Sequence, residues 1–161
     1  KTDILWCRMN NLGYAPVVYP GFSWRNLKNL TVDKYDEIPR LKGDFLWRQI
    51  AEAKKAGAKM IYVAMFDELD EGTCIFKCAN SKNTPIFATS SDPQGKFLGI
   101  DDDLPTDYYL FLAGQAGEWL KGNAEYGDTK PSYKPMGMGH TEIESPITIT
   151  YANNIISCNS L

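Results

Sequence analysis

The stretch "GDFLWRQIAEAKKAGAKMIYVAMFDELDEGT", residues 43–73, decides the fold. In its first half Leu46, Ile50, Ala53 and Gly57 recur at the spacing of one helical face. Asp44 suits the start of that helix as a cap. Lys54 and Lys55 suit its negative end, and Gly57 can terminate it. "KMIYVAMF" (59–66) follows almost at once as a strand, apolar on both alternating faces. That pattern predicts a strand covered on both sides, as in a parallel sheet. The run then ends in four acids within five positions: Asp67, Glu68, Asp70 and Glu71.

Working outward, "YAPVVYPG" (14–21) reads as a short buried strand stopped by Pro20 and Gly21. Before it, "TDILWCRMNNLG" (2–13) reads as the end of a helix, with Leu5, Met9 and Leu12 at helical spacing and Gly13 to close it. After the acids the chain is mostly irregular to about Pro105, with strand-like pieces at "PIFAT" (85–89) and "KFLGI" (96–100). "PTDYYLFLAGQAGEWLKG" (105–122) is a last helix with a Leu112, Ala116, Leu120 stripe. Asp101, Asp102, Asp103 and Asp107 suit its N-terminal end. Beyond Gly122 the sequence turns rich in Gly and Pro. It closes on "SPITITYANNIIS" (145–157), which reads as one half-exposed strand with Ile147, Ile149 and Tyr151 on one face. The expected division is therefore 1–122 and a tail, 123–161.

Helices and strands alternating in this order imply an α/β fold, with a parallel sheet and right-handed crossovers. A (β/α)8 barrel and a doubly wound sheet both fit locally. A barrel typically needs about 250 residues, and this chain has 161. It holds about three βα units, so within a barrel it is the C-terminal portion.

Composition excludes several functions. Net charge is −3 with Lys and Arg scattered, so no basic stripe is offered to nucleic acid. No apolar run approaches the roughly 18 residues of a membrane span. Cys74 and Cys78 are spaced C-x3-C, but no second Cys or His pair follows, and His140 is the only histidine. Free or buried thiols are the better reading than a metal site. No cofactor is implied. The chain opens Lys1-Thr2-Asp3 without an initiator Met, so its start does not reveal localisation.

In parallel α/β folds the C-terminal ends of strands carry the active site, and the four acids fall there. Crowded carboxylates repel, which favours one holding a proton beside another that is ionised. Glycosidic bond cleavage uses such a pair. Glu68 and Glu71 are the candidates. Their three-residue step spans about 10 Å if extended and about 5 Å in a helical turn. The carboxylate gap, and with it a retaining or inverting course, stays open. A solvated loop, a helix cap or a divalent-cation loop are the competing readings, although "DELDEG" lacks the EF-hand pattern.

"FDELDEGT" (66–73) resembles the F-N-E-W-H-E-G-T stretch of glycoside hydrolase family 99, the endo-α-mannosidases and endo-α-mannanases. "PGF" (20–22) is similar to that family's P-G-Y, and "RLKG" (40–43) to its R-x-x-G. The order "PVVYPGFSWRNL", "IPRLKGDFLWRQ", "MIYVAMFDELDEGT", "DDLPTDYYLFLAG" resembles bacterial family 71/99-like proteins more closely still, over residues 14–122. The resemblance implies the C-terminal part of a (β/α)8 barrel and an oligo- or polysaccharide partner such as α-mannan. It also implies a secreted, periplasmic or cell-surface location. Glu71 matches the general acid/base. Glu68 matches the carboxylate that draws the proton from the sugar 2-hydroxyl, giving retention through a 1,2-anhydro sugar. A family 71 resemblance would instead suggest α-1,3-glucan and inversion. Three positions depart from the motif: Asp67 replaces Asn, Leu69 replaces Trp, and Asp70 replaces His.

Further substrate-binding candidates lie nearby. Phe22 and Trp24, just after the first strand, can stack on sugar rings; core packing is the rival reading. Arg25 and Asn26 can bind hydroxyls. Arg40 can pair with a loop acid or a substrate. Asp67 and Asp70 complete the set. Trp47 and Trp119 sit on helices and read as core. A non-catalytic carbohydrate-binding or scaffold barrel is the alternative to an enzyme.

Overall fold

The computed structural model describes residues 2–24, 38–84 and 98–135, together with the backbone of 148–152 and 155–159. Its elements are α1 (Thr2–Met9), β1 (Val17–Val18), α2 (Asp44–Lys55), β2 (Tyr62–Val63), α3 (Tyr108–Lys121), β3 (Thr148–Ala152) and β4 (Ile155–Asn159). Short 3₁₀ turns precede α2, at Leu41–Gly43, and follow the acidic loop, at Ser81–Asn83.

β1 and β2 pair in parallel, with Val17 opposite Tyr62 and Val18 opposite Val63. α2 lies between them in sequence, so the expected β-α-β unit is present. β3 and β4 form a separate antiparallel pair, from Thr148 opposite Asn159 to Ala152 opposite Ile155. The sequence reading had one strand there. Ile155–Asn159, as long as Thr148–Ala152, supplies a second, and its Ile155–Ile156 start lacks the alternation that announces a strand.

The three described α-helices stop by the same device. A left-handed residue follows the last turn, and two backbone N–H groups fold back onto the final carbonyls. At α2 the residue is Gly57, with Gly57 N–H donating to Lys54 O at 2.8 Å and Ala58 N–H to Ala53 O at 2.9 Å. At α3 it is Gly122, with Asn123 N–H donating to Glu118 O at 2.9 Å. At α1 it is Asn11, at φ 54°, with Leu12 N–H donating to Cys7 O at 2.8 Å. Gly13, the expected stop, lies beyond the cap. Asn tolerates the left-handed region well enough to end the helix two residues sooner.

The core lies between β1 and the two longer helices. Leu46, Trp47, Ile50 and Ala51 of α2 meet Tyr108, Tyr109, Phe111, Leu112, Ala116 and Trp119 of α3, with Val18 beneath. Full burial of Leu46 and Ile50 contributes about 1.5–3 kcal/mol each. Gly43 makes the close approach of the two helices possible. It sits at φ +88°, and a Cβ there would come within 2.6 Å of Leu112 Cδ1.

Among the described residues, the β1–β2 pair is covered on one face only. Val18 is 2% exposed, whereas Val17 opposite is 60% exposed and its partner Tyr62 53%. Met60 is exposed too. The apolar alternation of "KMIYVAMF" had predicted two covered faces. α2 supplies one cover, and among the described residues nothing packs over the other.

Residues 123–135 do not stand apart from the helices. Tyr126 meets the Trp47 ring edge-on at 5.5 Å and the Trp119 ring at 6.0 Å. Trp47 Nε1 donates to Gly127 O at 3.0 Å, and Lys130 pairs with Asp44. Tyr133 packs on Phe111 and donates to Asp107 Oδ1 at 2.7 Å. Trp47 and Trp119, stacked at 5.7 Å, are core residues. The acids before α3 have partners of their own: Asp103 pairs with Lys42, and Asp102 accepts the Lys82 N–H. "PIFAT" lies outside the described residues. Of "KFLGI", Ile100 forms a parallel bridge with Asn80.

Candidate functional site

The chain beyond β1 and the chain beyond β2 continue side by side past the strand ends. Ala64 N–H donates to Val18 O at 2.8 Å, and further on Ser23 N–H donates to Glu71 O at 2.8 Å. The acidic loop therefore lies next to the segment that carries Phe22 and Trp24.

The loop has a closed neck. Met65 N–H donates to Thr73 O at 3.2 Å, Ile75 N–H to Met65 O at 3.1 Å, and Phe76 N–H to Phe66 O at 3.0 Å. Within it, Gly72 N–H donates to Leu69 O at 3.1 Å, which marks residues 69–72 as a turn. The Glu68 carbonyl accepts from both Thr73 N–H, at 3.1 Å, and Cys74 N–H, at 3.0 Å. The step from Glu68 to Glu71 is thus folded, not extended. Gly72 adopts φ +63°, and a Cβ there would meet Leu98 Cδ2 at 3.0 Å.

Glu68 and Glu71 are half-buried, Asp67 and Asp70 exposed. Among the described residues, none of the four carboxylates receives a hydrogen bond or ion pair. The loop is instead held by its backbone, and Arg40 is what holds it.

Arg40 is 6% exposed. One guanidinium nitrogen donates to Cys74 O at 3.0 Å, and the other to Gly72 O at 2.7 Å. The second also reaches Cys74 Sγ at 3.7 Å. The Tyr109 ring lies 4.5 Å beneath the guanidinium carbon, a cation–π contact in a desolvated setting. Gly21 makes room for the Arg40 stem, since a Cβ there would sit 2.7 Å from Arg40 Cγ. The P-G-F, R-x-x-G and E-x-x-E-G-T segments therefore meet at one buried arginine. Its described partners are backbone carbonyls and a sulfur, not the loop acids.

Phe22 and Trp24 are half-buried and meet edge-to-face at 4.7 Å. Ser23 between them is fully buried. Phe22 is also fixed by its backbone, which exchanges hydrogen bonds with Ile38, each 2.9 Å. Arg25 and Asn26 lie outside the described residues. Two participants escaped the sequence reading. Tyr109 was read only as part of a helix, yet it floors the Arg40 site. Phe66, 58% exposed and 5.9 Å from Phe76, presents an aromatic face beside the loop neck. Only the pairing of aromatic and acidic residues in "FDELDEG" hinted at it.

Electrostatically, the perturbed groups lie behind the loop. The Cys78 hydrogen bond, helped by the Arg40 charge, pulls the Cys74 thiol well below an ordinary cysteine, despite burial. Cys78 is pushed up as the partner that keeps the proton. Burial raises Tyr109.

No protein-family model matches the chain, and no curated protein does. Among solved structures, the GH99 endo-α-mannosidase from Bacteroides thetaiotaomicron in complex with bis-tris-propane matches with a TM-score of 0.60 at 20% identity. That match covers 76% of this chain and 34% of the other. A second structure of the same enzyme matches with a TM-score of 0.58 at 20% identity, over 76% of this chain and 33% of that one. The chain spans about a third of the length of these neighbours. The resemblance first carried by "FDELDEGT" is thus met in three dimensions, and the chain has the fold of one part of a GH99 endo-α-mannosidase.

Proposed function

We propose that this chain is the C-terminal portion, about three βα units, of a (β/α)8 glycoside hydrolase that cleaves an α-linked glycan such as α-mannan. One observation carries the reading. The acidic loop continues directly from a parallel strand and is clamped through its backbone, leaving the Glu68 and Glu71 carboxylates without described protein partners. A loop built to be solvated needs no buried arginine beneath it. The bare Val17–Tyr62 face adds support, because a barrel's remaining strands would enclose it.

In this reading Glu71 protonates the leaving glycosidic oxygen. Glu68 takes the proton of the sugar 2-hydroxyl as that oxygen attacks the anomeric carbon, closing a 1,2-anhydro ring. Glu71, now ionised, then deprotonates the water that opens the ring, Glu68 returns its proton to the sugar O2, and the configuration is retained. Phe22 and Trp24 stack on the sugar, and Arg25 and Asn26, outside the described residues, are the remaining candidates for its hydroxyls. Arg40 acts through the loop, as a positioning residue. Asp67, Leu69 and Asp70 set specificity, since they differ from the motif they resemble. A secreted or surface location suits a polysaccharide substrate.

β1 and β2 have no further strand beside them among the described residues, so the 161-residue chain by itself offers half a pocket. The isolated chain is expected to turn over no α-mannan or α-glucan. In a polypeptide that supplies the remaining strands, Glu71→Gln should lower hydrolysis by about 10²–10⁴-fold while glycan binding persists. Glycan binding without hydrolysis in the unmutated polypeptide would instead identify a carbohydrate-binding barrel.

A further inference from the structure

A cavity of about 330 Å³ opens where the turn before α2 meets the chain that runs into α3. Arg40, Leu41, Lys42, Ser81, Leu98 and Asp101 line it. Its size falls at the lower end of small-molecule sites, roughly 300–1,000 Å³. It has no part in the chemistry at Glu68 and Glu71.

Backbone contacts fix the walls. Ser81 N–H donates to Ile100 O at 2.8 Å, Ile100 N–H to Ala79 O at 3.2 Å, and Gly43 N–H to Arg40 O at 3.0 Å. Asn80 Nδ2 donates to Asp101 O and to Leu104 O, both at 2.8 Å. Gly99 permits this close packing, since a Cβ there would lie 2.5 Å from Ala79 O. Polar groups are nevertheless left over. Ser81 and Asp101 are half-buried, and among the described residues neither the Ser81 hydroxyl nor the Asp101 carboxylate has a hydrogen-bond partner. Arg40 is 6% exposed, and its buried Nε has no partner either. A buried donor without an acceptor, on a residue that lines a cavity, calls for one.

Charge decides what fits. Lys42 is paired with Asp103, and Arg40 turns its two terminal nitrogens to Cys74 O and Gly72 O. The unpaired Asp101 carboxylate therefore disfavours an anion. A divalent cation needs several oxygen ligands, and no group of three acids, histidines or cysteines is gathered among the described residues. A neutral polyhydroxylated ring suits the walls better. Its hydroxyls can donate to a carboxylate and both donate to and accept from a serine, while Leu41 and Leu98 offer an apolar surface to its C–H face.

We propose that this cavity is a second sugar-binding site, separate from the acidic loop, that takes one neutral pyranose residue. Asp101 accepts from its hydroxyls, and Ser81 shares a hydrogen bond with it. Arg40 belongs to both places, since it holds Gly72 and Cys74 of the loop and also lines the cavity. The proposal rests on the glycosidase reading only for the choice of mannose as probe.

The test titrates the folded, isotope-labelled full chain with D-mannose and follows its backbone amide resonances by NMR. Saturable shifts are expected at Leu41, Lys42, Ser81, Gly99 and Asp101. Asp101→Ala removes a carboxylate that bonds to nothing in the described fold, and should weaken mannose binding about tenfold. Ser81→Ala should weaken it by less. Absence of saturable shifts at these residues overturns the proposal, as does unchanged mannose binding in Asp101→Ala. Tighter binding of inorganic phosphate at the same residues overturns it too, by identifying an anion site. Shifts confined to residues 67–72 would remove this site and leave the glycosidase reading in place. Hydrolysis undiminished in Glu71→Gln would remove that reading, and shifts at the cavity would still uphold this site.

Discussion

Arg40 donates to the Gly72 carbonyl at 2.7 Å across 32 residues of sequence, and so ties the segment after β1 to the acidic loop after β2. The contact is to backbone, so it fixes where the loop runs whatever side chains the loop bears.

Removing the clamp should cost stability. Arg40→Met leaves the Gly72 and Cys74 carbonyls buried without their donor, at about 1–3 kcal/mol each. We expect a total loss of about 3 kcal/mol in urea unfolding. Arg40→Lys should recover only part, since an ammonium lacks the planar fork that serves two carbonyls at once. A loss below about 1 kcal/mol for Arg40→Met would show that the loop holds itself.

Glycines in this chain should respond in opposite directions. Gly43→Ala places a Cβ within 2.6 Å of Leu112 at a left-handed φ, and should destabilise by more than about 1 kcal/mol. Gly114→Ala, in the interior of α3 with nothing within 4 Å of the added Cβ, should stabilise by about 0.5–1 kcal/mol. Thermal unfolding of the two variants, read together, checks both signs.

The segment after α3 should behave as part of the same cooperative unit. Tyr126 contacts both core tryptophans and hydrogen-bonds Gln115. Tyr126→Ala should cost about 2–4 kcal/mol and red-shift tryptophan fluorescence as water reaches Trp47 and Trp119. Unchanged emission and stability would favour a division of the chain at Gly122.

These contacts show what was legible in the sequence. The Leu46–Ile50–Ala53 stripe and the Gly57 stop announced α2, because helical spacing and a left-handed glycine are local signals. The four acids after "YVAMF" announced a loop at a strand end for the same reason. Three features needed tertiary structure. Arg40 had donors enough for a carboxylate or a sugar, and only the fold shows its two terminal nitrogens turned to Gly72 and Cys74. Tyr126 and Tyr133 sat in a Gly- and Pro-rich run that looked like a linker, since aromatic anchors spaced seven apart leave no periodic trace. The exposed face of Val17 and Tyr62 reads as buried in sequence because an apolar run carries no record of which neighbours cover it.

Alkali should weaken the same region. Burial first, and the hydrogen bond to Asp107 second, push the Tyr133 hydroxyl up to about 12. A phenol raised above its unfolded value of about 10 gives stability that is fully present below pH ~10 and lost as pH rises through the folded value. The urea midpoint should therefore fall between about pH 10 and 12, and Tyr133→Phe should flatten that fall. An equal fall in both proteins would assign the alkaline transition to other groups.

Glu71 is the residue on which the functional proposal turns. The most direct measurement is hydrolysis of α-mannan by a polypeptide that joins this chain to its remaining βα units, wild type against Glu71→Gln, with glycan binding followed alongside. Loss of the acid/base should lower turnover by about 10²–10⁴-fold with binding retained. Hydrolysis undiminished in Glu71→Gln would contradict the assignment of this loop as the catalytic centre.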